Sequence, residues 1–170
     1  MEVLKINNKN SEVEVLNNNL KSLTVTKNEN QYNLIAFDPD NFASSFIMAP
    51  WVNRIKNGKF KCEKGEFNLL QDHSLARNFK HAIHGTMLFA DWNVINLKQS
   101  VIELSSKILK PWPFEGEINS KFTLFENKLL QELTIINNDK YVMPFSMGWH
   151  PWFNRSLGSN DLSVEFNSEF

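Results

Sequence analysis

Several residue types that mark specialised classes of protein are scarce in this chain of 170 residues. Cys62 is the only cysteine, which excludes an internal disulfide and a cysteine-based metal cluster. No apolar run approaches the ~20 residues that a membrane-spanning helix needs, and the N-terminal residues lack the apolar segment of a signal peptide. The formal net charge is only -1, which argues against an electrostatic field that gathers nucleic acid or anionic lipid. We therefore predict a cytoplasmic protein without a nucleic-acid or membrane partner.

Helical periodicity is also missing, since no window of about 12 residues keeps the apolar spacing of a helix. The chain instead carries short alternating runs separated by Asn, Gly, Asp and Pro. Hydrophobic residues make up 42% of the chain, enough for one domain over residues 1–170 with a real core. Large rings are abundant, with 14 Phe and 5 Trp, and such rings either pack in a core or line a ligand groove. The pattern predicts an all-β protein, either a sandwich or a barrel.

The individual strand predictions follow the alternating runs. They cover residues 12–16, 20–26, 31–37, 59–62, 66–69, 92–97, 101–108, 117–125 and 129–136. The segment 38–53, with Pro39 and Pro50, is interpreted as a loop. One more strand is predicted from Asp161 to Phe166, close to the last residue, so the sheet is expected to be incomplete at the C-terminus.

Three segments carry the candidate functional residues. They are Ala49–Phe60 (APWVNRIKNGKF), His81–Thr86 (HAIHGT) and Met143–Asn154 (MPFSMGWHPWFN). Asn53 and Arg54 can donate several hydrogen bonds to sugar hydroxyls, although an arginine beside a strand often makes only a surface ion pair. His84 and His150 carry imidazoles with an ordinary pKa of about 6.5, which suits proton transfer at neutral pH. A lone histidine in an aromatic segment such as that around His150 is, however, most often a packing residue.

A metal site is the alternative interpretation of the histidines. His81 and His84 are three residues apart, with His73 nearby, but a metal site needs a third well-placed ligand. Strand geometry also tends to point residues three apart to opposite faces. We therefore predict no metal, with His81 on the surface and His84, followed by the small Gly85, facing a ligand.

In their order and separation, the three segments resemble the aldose 1-epimerase (galactose mutarotase) family. That family shows an Asn-Arg pair before a short strand, a His-Gly motif before a tryptophan, and a later histidine followed by an aromatic residue and Phe-Asn. Thr86 is a departure, since many members carry a second glycine there. The resemblance implies the family's antiparallel β-sandwich, of which this chain would form the N-terminal part.

The resemblance also implies an activity and a role for each residue. The family interconverts the α and β anomers of a free aldose, such as the hexoses galactose or glucose, without a cofactor. His150 would be the general acid toward the ring oxygen, and His84 would assist by hydrogen bonding and charge stabilisation. Asn53 and Arg54 would hold sugar hydroxyls.

The family's base is a glutamate near the C-terminus of a substantially longer chain, and this sequence shows no counterpart. Glu165 and Glu169 do not stand in the context of that glutamate. We therefore expect severe loss of activity in this chain alone, and a second polypeptide that supplies the C-terminal half stays open.

Three alternatives remain at this stage. The chain could be a carbohydrate-binding remnant without turnover, or an unrelated β-sandwich interaction module. It could also be a relative of epimerases that act on hexose phosphates, which would need more cations near the groove than Arg54, Arg77 and Arg155.

Overall fold

Antiparallel strand pairing accounts for almost all regular structure in the chain. The structure is a computed structural model that describes residues 2–38, 40, 44–70 and 80–167. The strands are β1 (Val3–Asn7), β2 (Ser11–Leu16), β3 (Asn19–Lys27), β4 (Asn30–Asn33), β5 (Phe46–Met48), β6 (Arg54–Ile55), β7 (Lys59–Cys62), β8 (Gly65–Asn68), β9 (Ala82–Ile83), β10 (Asn93–Lys98), β11 (Val101–Lys107), β12 (Gly116–Leu124), β13 (Leu129–Asn137), β14 (Gly148–His150), β15 (Ser156–Leu157) and β16 (Asn160–Asp161). Short 3-10 turns occur at Lys56–Gly58 and Met87–Phe89. In the described part of the chain, no helix is long and apolar enough to cross a membrane.

Two four-stranded antiparallel sheets form the body of the molecule. Strands β1 to β4 make one sheet and β10 to β13 make the other, each in chain order. Tight asparagine turns explain this meander. The two residues between β2 and β3, Asn17 and Asn18, have φ of 46° and 63°, and two successive residues with positive φ match the twist of a hairpin.

The two sheets pack face to face over a shared apolar core. Every second residue of β12 is buried, as the period of a strand requires. The core joins residues of the first sheet with residues of the second, namely Ile6, Val13, Val15 and Leu20 with Ile102, Leu104, Phe122 and Leu124. Each such side chain contributes about 1.5–3 kcal/mol on full burial. The architecture is therefore an all-β sandwich.

A second core consists mainly of large rings at one end of the sandwich. Trp51 and Trp112 are 4% and 5% exposed, and their ring centroids lie 5.5 Å apart. Phe60 of β7 stacks on Trp112 at 5.0 Å, and Phe114 lies 5.7 Å from Trp112. These rings pack in the interior, so they explain much of the aromatic content without a ligand.

Most strand predictions are confirmed to within one residue at each end. Several differ. The segment 38–53, interpreted as a loop, contains β5, because its three residues pair with β14 about 100 residues later and carry no local signal. The predicted strand 31–37 ends at Asn33. Val3–Asn7 and the short strands β6, β9, β14 and β15 were not predicted.

The predicted strand from Asp161 to Phe166 is wrong beyond its first residue. Asp161 belongs to the small hairpin of β15 and β16, and residues 162–167 have no strand structure. A strand exists only where a neighbour accepts and donates its backbone hydrogen bonds, and no described residue forms such a ladder with 162–167.

Candidate functional site

The Asn-Arg and His-Gly segments are held together by a short strand pair. Arg54 of β6 lies opposite Ile83 of β9. The next residue, His84, donates its backbone N–H to the carbonyl of Asn53 at 2.8 Å. Asn53 and His84 have φ of 54° and 59°, a left-handed conformation that is uncommon outside glycine and often found at functional sites. The fold thus places the two segments side by side.

Gly85 explains why the histidine motif needs a glycine. Its φ is 73°, and a Cβ built on it would lie 1.8 Å from the carbonyl oxygen of Ala49. Gly85 and Ala49 form a parallel bridge, and Thr86 donates its N–H to the same Ala49 carbonyl at 2.8 Å. Only glycine allows this approach of two backbones, which fixes the position of the preceding histidine.

His150 reaches the site from the other end of the sequence. It is the last residue of β14 and lies directly opposite Phe46 of β5. The two rings are stacked, with centroids 4.6 Å apart and planes 10° apart. Beyond the strand, Trp152 donates its backbone N–H to Ser45 Oγ at 3.0 Å. Both contacts tie the C-terminal motif to the segment around β5.

The two candidate histidines meet. Their ring centroids are 5.3 Å apart with planes at 71°. Burial lowers the pKa of His84 below its ordinary value of 6.5, and the positive charges of His150 and Arg54 lower that pKa further. His84 is therefore a neutral imidazole at pH 7, able to donate one hydrogen bond and accept another.

Neither imidazole is anchored by hydrogen bonds at Nδ1. In the described part of the chain, the Nδ1 atoms of His84 and His150 are buried without a hydrogen-bond partner. Most buried polar atoms do have partners, so each exception calls for an explanation. Among the described residues, these rings contact Phe46 and each other.

Asn53 and Arg54 present exposed donors beside the histidines. Both side chains are exposed, and Arg54 Nη1 donates to Asn53 Oδ1 at 3.1 Å. No ion pair of Arg54 is found among the described residues. The structure thus brings all four predicted residues together, with Arg54 close enough to influence the pKa of His84.

His81 has a structural role that the surface prediction missed. It is half-buried, and its Nδ1 accepts a hydrogen bond from the backbone N–H of Asn57 at 3.0 Å. Asn57 has φ of 53°, so His81 supports a tight turn. His73 and Arg77 lie outside the described residues.

Two aromatic residues of the site were not singled out as site residues from the sequence. Phe46 was concealed in the segment interpreted as a loop. Trp152 was noted only as a ring near His150. It is 39% exposed, and its plane lies within 26° of the His150 ring at 6.1 Å. An exposed ring beside the imidazoles is available to a ligand, unlike the buried rings of Trp51 and Trp112.

Comparison with known proteins identifies the family. The family model for aldose 1-epimerase matches residues 2–169. The chain belongs to the aldose 1-epimerase family. Membership accounts for the order of the three motifs, and it agrees with the likeness to solved structures described next.

The fold is that of the galactose mutarotases. A galactose mutarotase-like protein from Lactobacillus casei superposes with a TM-score of 0.75 at 20% identity, over 91% of this chain and 51% of that one. A galactose mutarotase related enzyme from Lactobacillus acidophilus gives 0.73 at 21% identity, over 90% and 49%. At these identities the likeness shows the fold alone.

A curated relative is the uncharacterized protein YihR of Escherichia coli K12. It is 27% identical over 119 residues, which cover 68% of this chain and 37% of the relative. The aligned part of this chain thus spans well under half of that relative, and about half of each solved structure.

Proposed function

We propose that this chain carries the sugar-binding and acid side of an aldose 1-epimerase that acts on a free hexose such as galactose or glucose. The observation that carries the proposal is the pair of imidazoles 5.3 Å apart with Arg54 beside them. A proton donor beside a neutral hydrogen-bonding imidazole suits a reaction in which one oxygen loses a proton as another gains one.

The chemistry is an opening and reclosing of the sugar ring. A base removes the proton of the anomeric hydroxyl, the C1–O1 bond becomes a carbonyl, and the bond from C1 to the ring oxygen breaks. His150 gives its proton to that ring oxygen. Rotation about C1–C2 and reversal of these steps close the ring on the other face of the carbonyl.

His84 would act as a neutral hydrogen-bonding group. Its lowered pKa removes the positive charge at pH 7, so the charge stabilisation expected from the family resemblance would come from Arg54 instead. A neutral imidazole can still hold an oxygen of the substrate by a directed hydrogen bond. The lowered pKa of His84 thus divides the roles of the two histidines.

Recognition of the sugar would fall to Asn53, Arg54 and Trp152. The contact of Arg54 with Asn53 uses one of several guanidinium donors and leaves the others for hydroxyl oxygens. The exposed Trp152 ring offers a surface for the C–H face of a sugar.

We further propose that the base comes from outside these 170 residues. Among the described residues, the groups whose charges shift the pKa of His84 are His150 and Arg54, with no carboxylate among them. Glu165 is exposed in a segment without regular structure, and Glu169 lies outside the described residues. A second polypeptide could supply the base. The same observation favours a second candidate function, sugar binding without turnover.

Sugar binding is tested by replacing Arg54. The intact chain should bind galactose or glucose weakly, at about 1 mM, which corresponds to roughly -4 kcal/mol. Arg54→Ala should abolish the response of tryptophan fluorescence to sugar while leaving the circular dichroism spectrum and melting temperature unchanged, because the side chain is exposed.

Lys98→Ala is the control, since Lys98 is also exposed but lies at the end of β10, a strand that contributes no residue to the proposed site. That variant should bind as the unsubstituted chain does. No response of the folded, unsubstituted chain to either hexose would contradict the proposal and favour an interaction module.

A further inference from the structure

One ring contacts both candidate histidines, and no motif drew attention to it. Phe46 is 8% exposed in β5. Its ring stacks on His150 at 4.6 Å and meets the edge of His84 at 5.9 Å with planes 63° apart. Together with the 5.3 Å contact between the imidazoles, the three rings form a closed triangle. We call Phe46, His84 and His150 the ring triad.

The backbone fixes the positions of the three residues of the ring triad, but it does not fix the orientations of their rings. Strand pairing places Phe46 opposite His150, and the hydrogen bond to Asn53 fixes the backbone of His84. The orientation of an imidazole is usually set by a hydrogen bond at the nitrogen that does not react. Both Nδ1 atoms lack such a partner among the described residues, so packing against a neighbouring ring must set the orientation.

We propose that Phe46 is a positioning residue that sets the relative orientation of the His84 and His150 imidazoles. Offset stacking and edge-to-face contacts both have preferred geometries, and Phe46 makes one of each. A flexible aliphatic side chain would fill the same space without defining the planes. The proposed function supplies the reaction that this arrangement would serve, but the arrangement is measurable without turnover.

Phe46 also contributes to the burial of the His84 imidazole. Burial is the main cause of the lowered pKa of His84, and His150 and Arg54 are the charged or titratable groups that lower it further. The Phe46 ring lies against this imidazole, with centroids 5.9 Å apart. Its loss would admit water and bring the pKa of His84 closer to its ordinary value.

The experiment is NMR of the histidine ring carbons and their protons across pH, with His84→Gln and His150→Gln to assign the signals. In the unsubstituted chain, ring current from Phe46 should displace the His150 signals upfield, and ring protons of Phe46 should show cross-relaxation with both imidazoles. In Phe46→Leu the upfield displacement should vanish and the titration midpoint of His84 should rise toward about 6.5. Phe46→Tyr keeps a ring and should restore both properties.

Phe60→Leu is the matched control. Phe60 is another stacked phenylalanine, 5.0 Å from Trp112 in the second core. It should change neither the His150 signals nor the midpoint of His84. Equal effects of the two leucine variants, or no effect of Phe46→Leu, would overturn the proposal. If Phe46→Leu does not fold, the unsubstituted chain decides, because absence of cross-relaxation between Phe46 and the imidazoles rejects the contact itself.

Turnover gives a separate measurement wherever a complete site can be assembled. Misplacing a reacting group by about 1 Å can lower a rate by about 10²-fold, so Phe46→Leu should lower kcat of anomer interconversion far more than it changes KM. No turnover by the unsubstituted chain when it is combined with a polypeptide that supplies the remaining half would contradict the proposed function and leave the NMR result for the ring triad unaffected.

Discussion

At the scale of single residues, two glycines with similar backbone conformations allow the cost of backbone strain to be distinguished from the cost of a steric clash. Gly85 has φ of 73° and approaches Ala49, whereas Gly158 has φ of 63° with nothing within 4 Å of a built Cβ. Both positions disfavour a side chain because of their left-handed conformation. Only at position 85 would a side chain also force two backbone segments apart.

We expect Gly85→Ala to lower the free energy of unfolding by about 2–4 kcal/mol, because strain and a backbone clash add together. Gly158→Ala should cost only about 1 kcal/mol, from strain alone. Urea denaturation of the two variants measures the difference. Equal losses would show that the contact between Gly85 and Ala49 relaxes easily.

The same substitution tests the site. Separation of Gly85 from Ala49 displaces His84, so Gly85→Ala should weaken sugar binding even at temperatures where the variant is fully folded. Gly158→Ala should leave binding unchanged, because β15 and β16 contribute no residue to the proposed site.

At the scale of elements, a lysine in a turn joins two strand pairs. Lys64 lies between β7 and β8 and forms a salt bridge with Asp139, which follows β13. The ammonium also donates to the Pro113 carbonyl and lies 4.9 Å from the Phe114 ring. The Lys64 hydrogen bond is the main cause that lowers the pKa of Asp139 to about 2, and backbone N–H groups of Tyr141 and Glu115 also contribute.

This pair should make stability depend on pH. The carboxyl pKa is depressed on folding from about 3.9, so its stabilising contribution is complete above about pH 4. It is lost as pH falls toward 2. We expect Asp139→Asn to lower the melting temperature at pH 7, and the difference from the unsubstituted chain to shrink between pH 4 and pH 2.

Lys61→Met is the control for Lys64→Met. Lys61 pairs with Glu66 at 2.8 Å, but their side chains are 77% and 72% exposed, and exposed pairs contribute little. Lys64→Met should lower the melting temperature at pH 7 more than Lys61→Met does. The reverse order would show that the pair at Asp139 does not link the strand pairs.

At the scale of the whole molecule, the proposed activity needs a base that we propose lies outside these 170 residues. Each general acid or base contributes about 10²–10⁴-fold. We therefore expect the optical rotation of fresh α-glucose or α-galactose to relax only marginally faster with this chain than in buffer. Some acceleration can survive, since incomplete sites retain residual activity.

Complementation with the missing part of the protein tests the same prediction from the other side, by the recovery of activity. A polypeptide that corresponds to the remaining half of a full-length relative should restore rapid relaxation. The restored rate should disappear with His150→Gln. Rapid relaxation by the 170 residues alone would show that the base lies within this chain, and Glu165 would be the first residue to replace.

The sequence by itself determined most of the long strands and indicated candidate residues for a site. Alternation of apolar residues indicated the long strands, because side chains of a strand face opposite sides with a period of two. Asparagines marked the turns that need positive φ. The three motifs also indicated Asn53, Arg54, His84 and His150, since those residue types carry the chemistry.

Only the tertiary structure decided which distant residues meet. The partnership of β5 with β14 joins Phe46 to His150 across about 100 residues, and no local pattern encodes such a pairing. The same holds for residues 162–166, whose alternation is that of a strand but which have no partner strand among the described residues. Strand propensity is local, whereas a ladder, a stacked ring and a half-buried imidazole each require a neighbour that only the folded chain supplies.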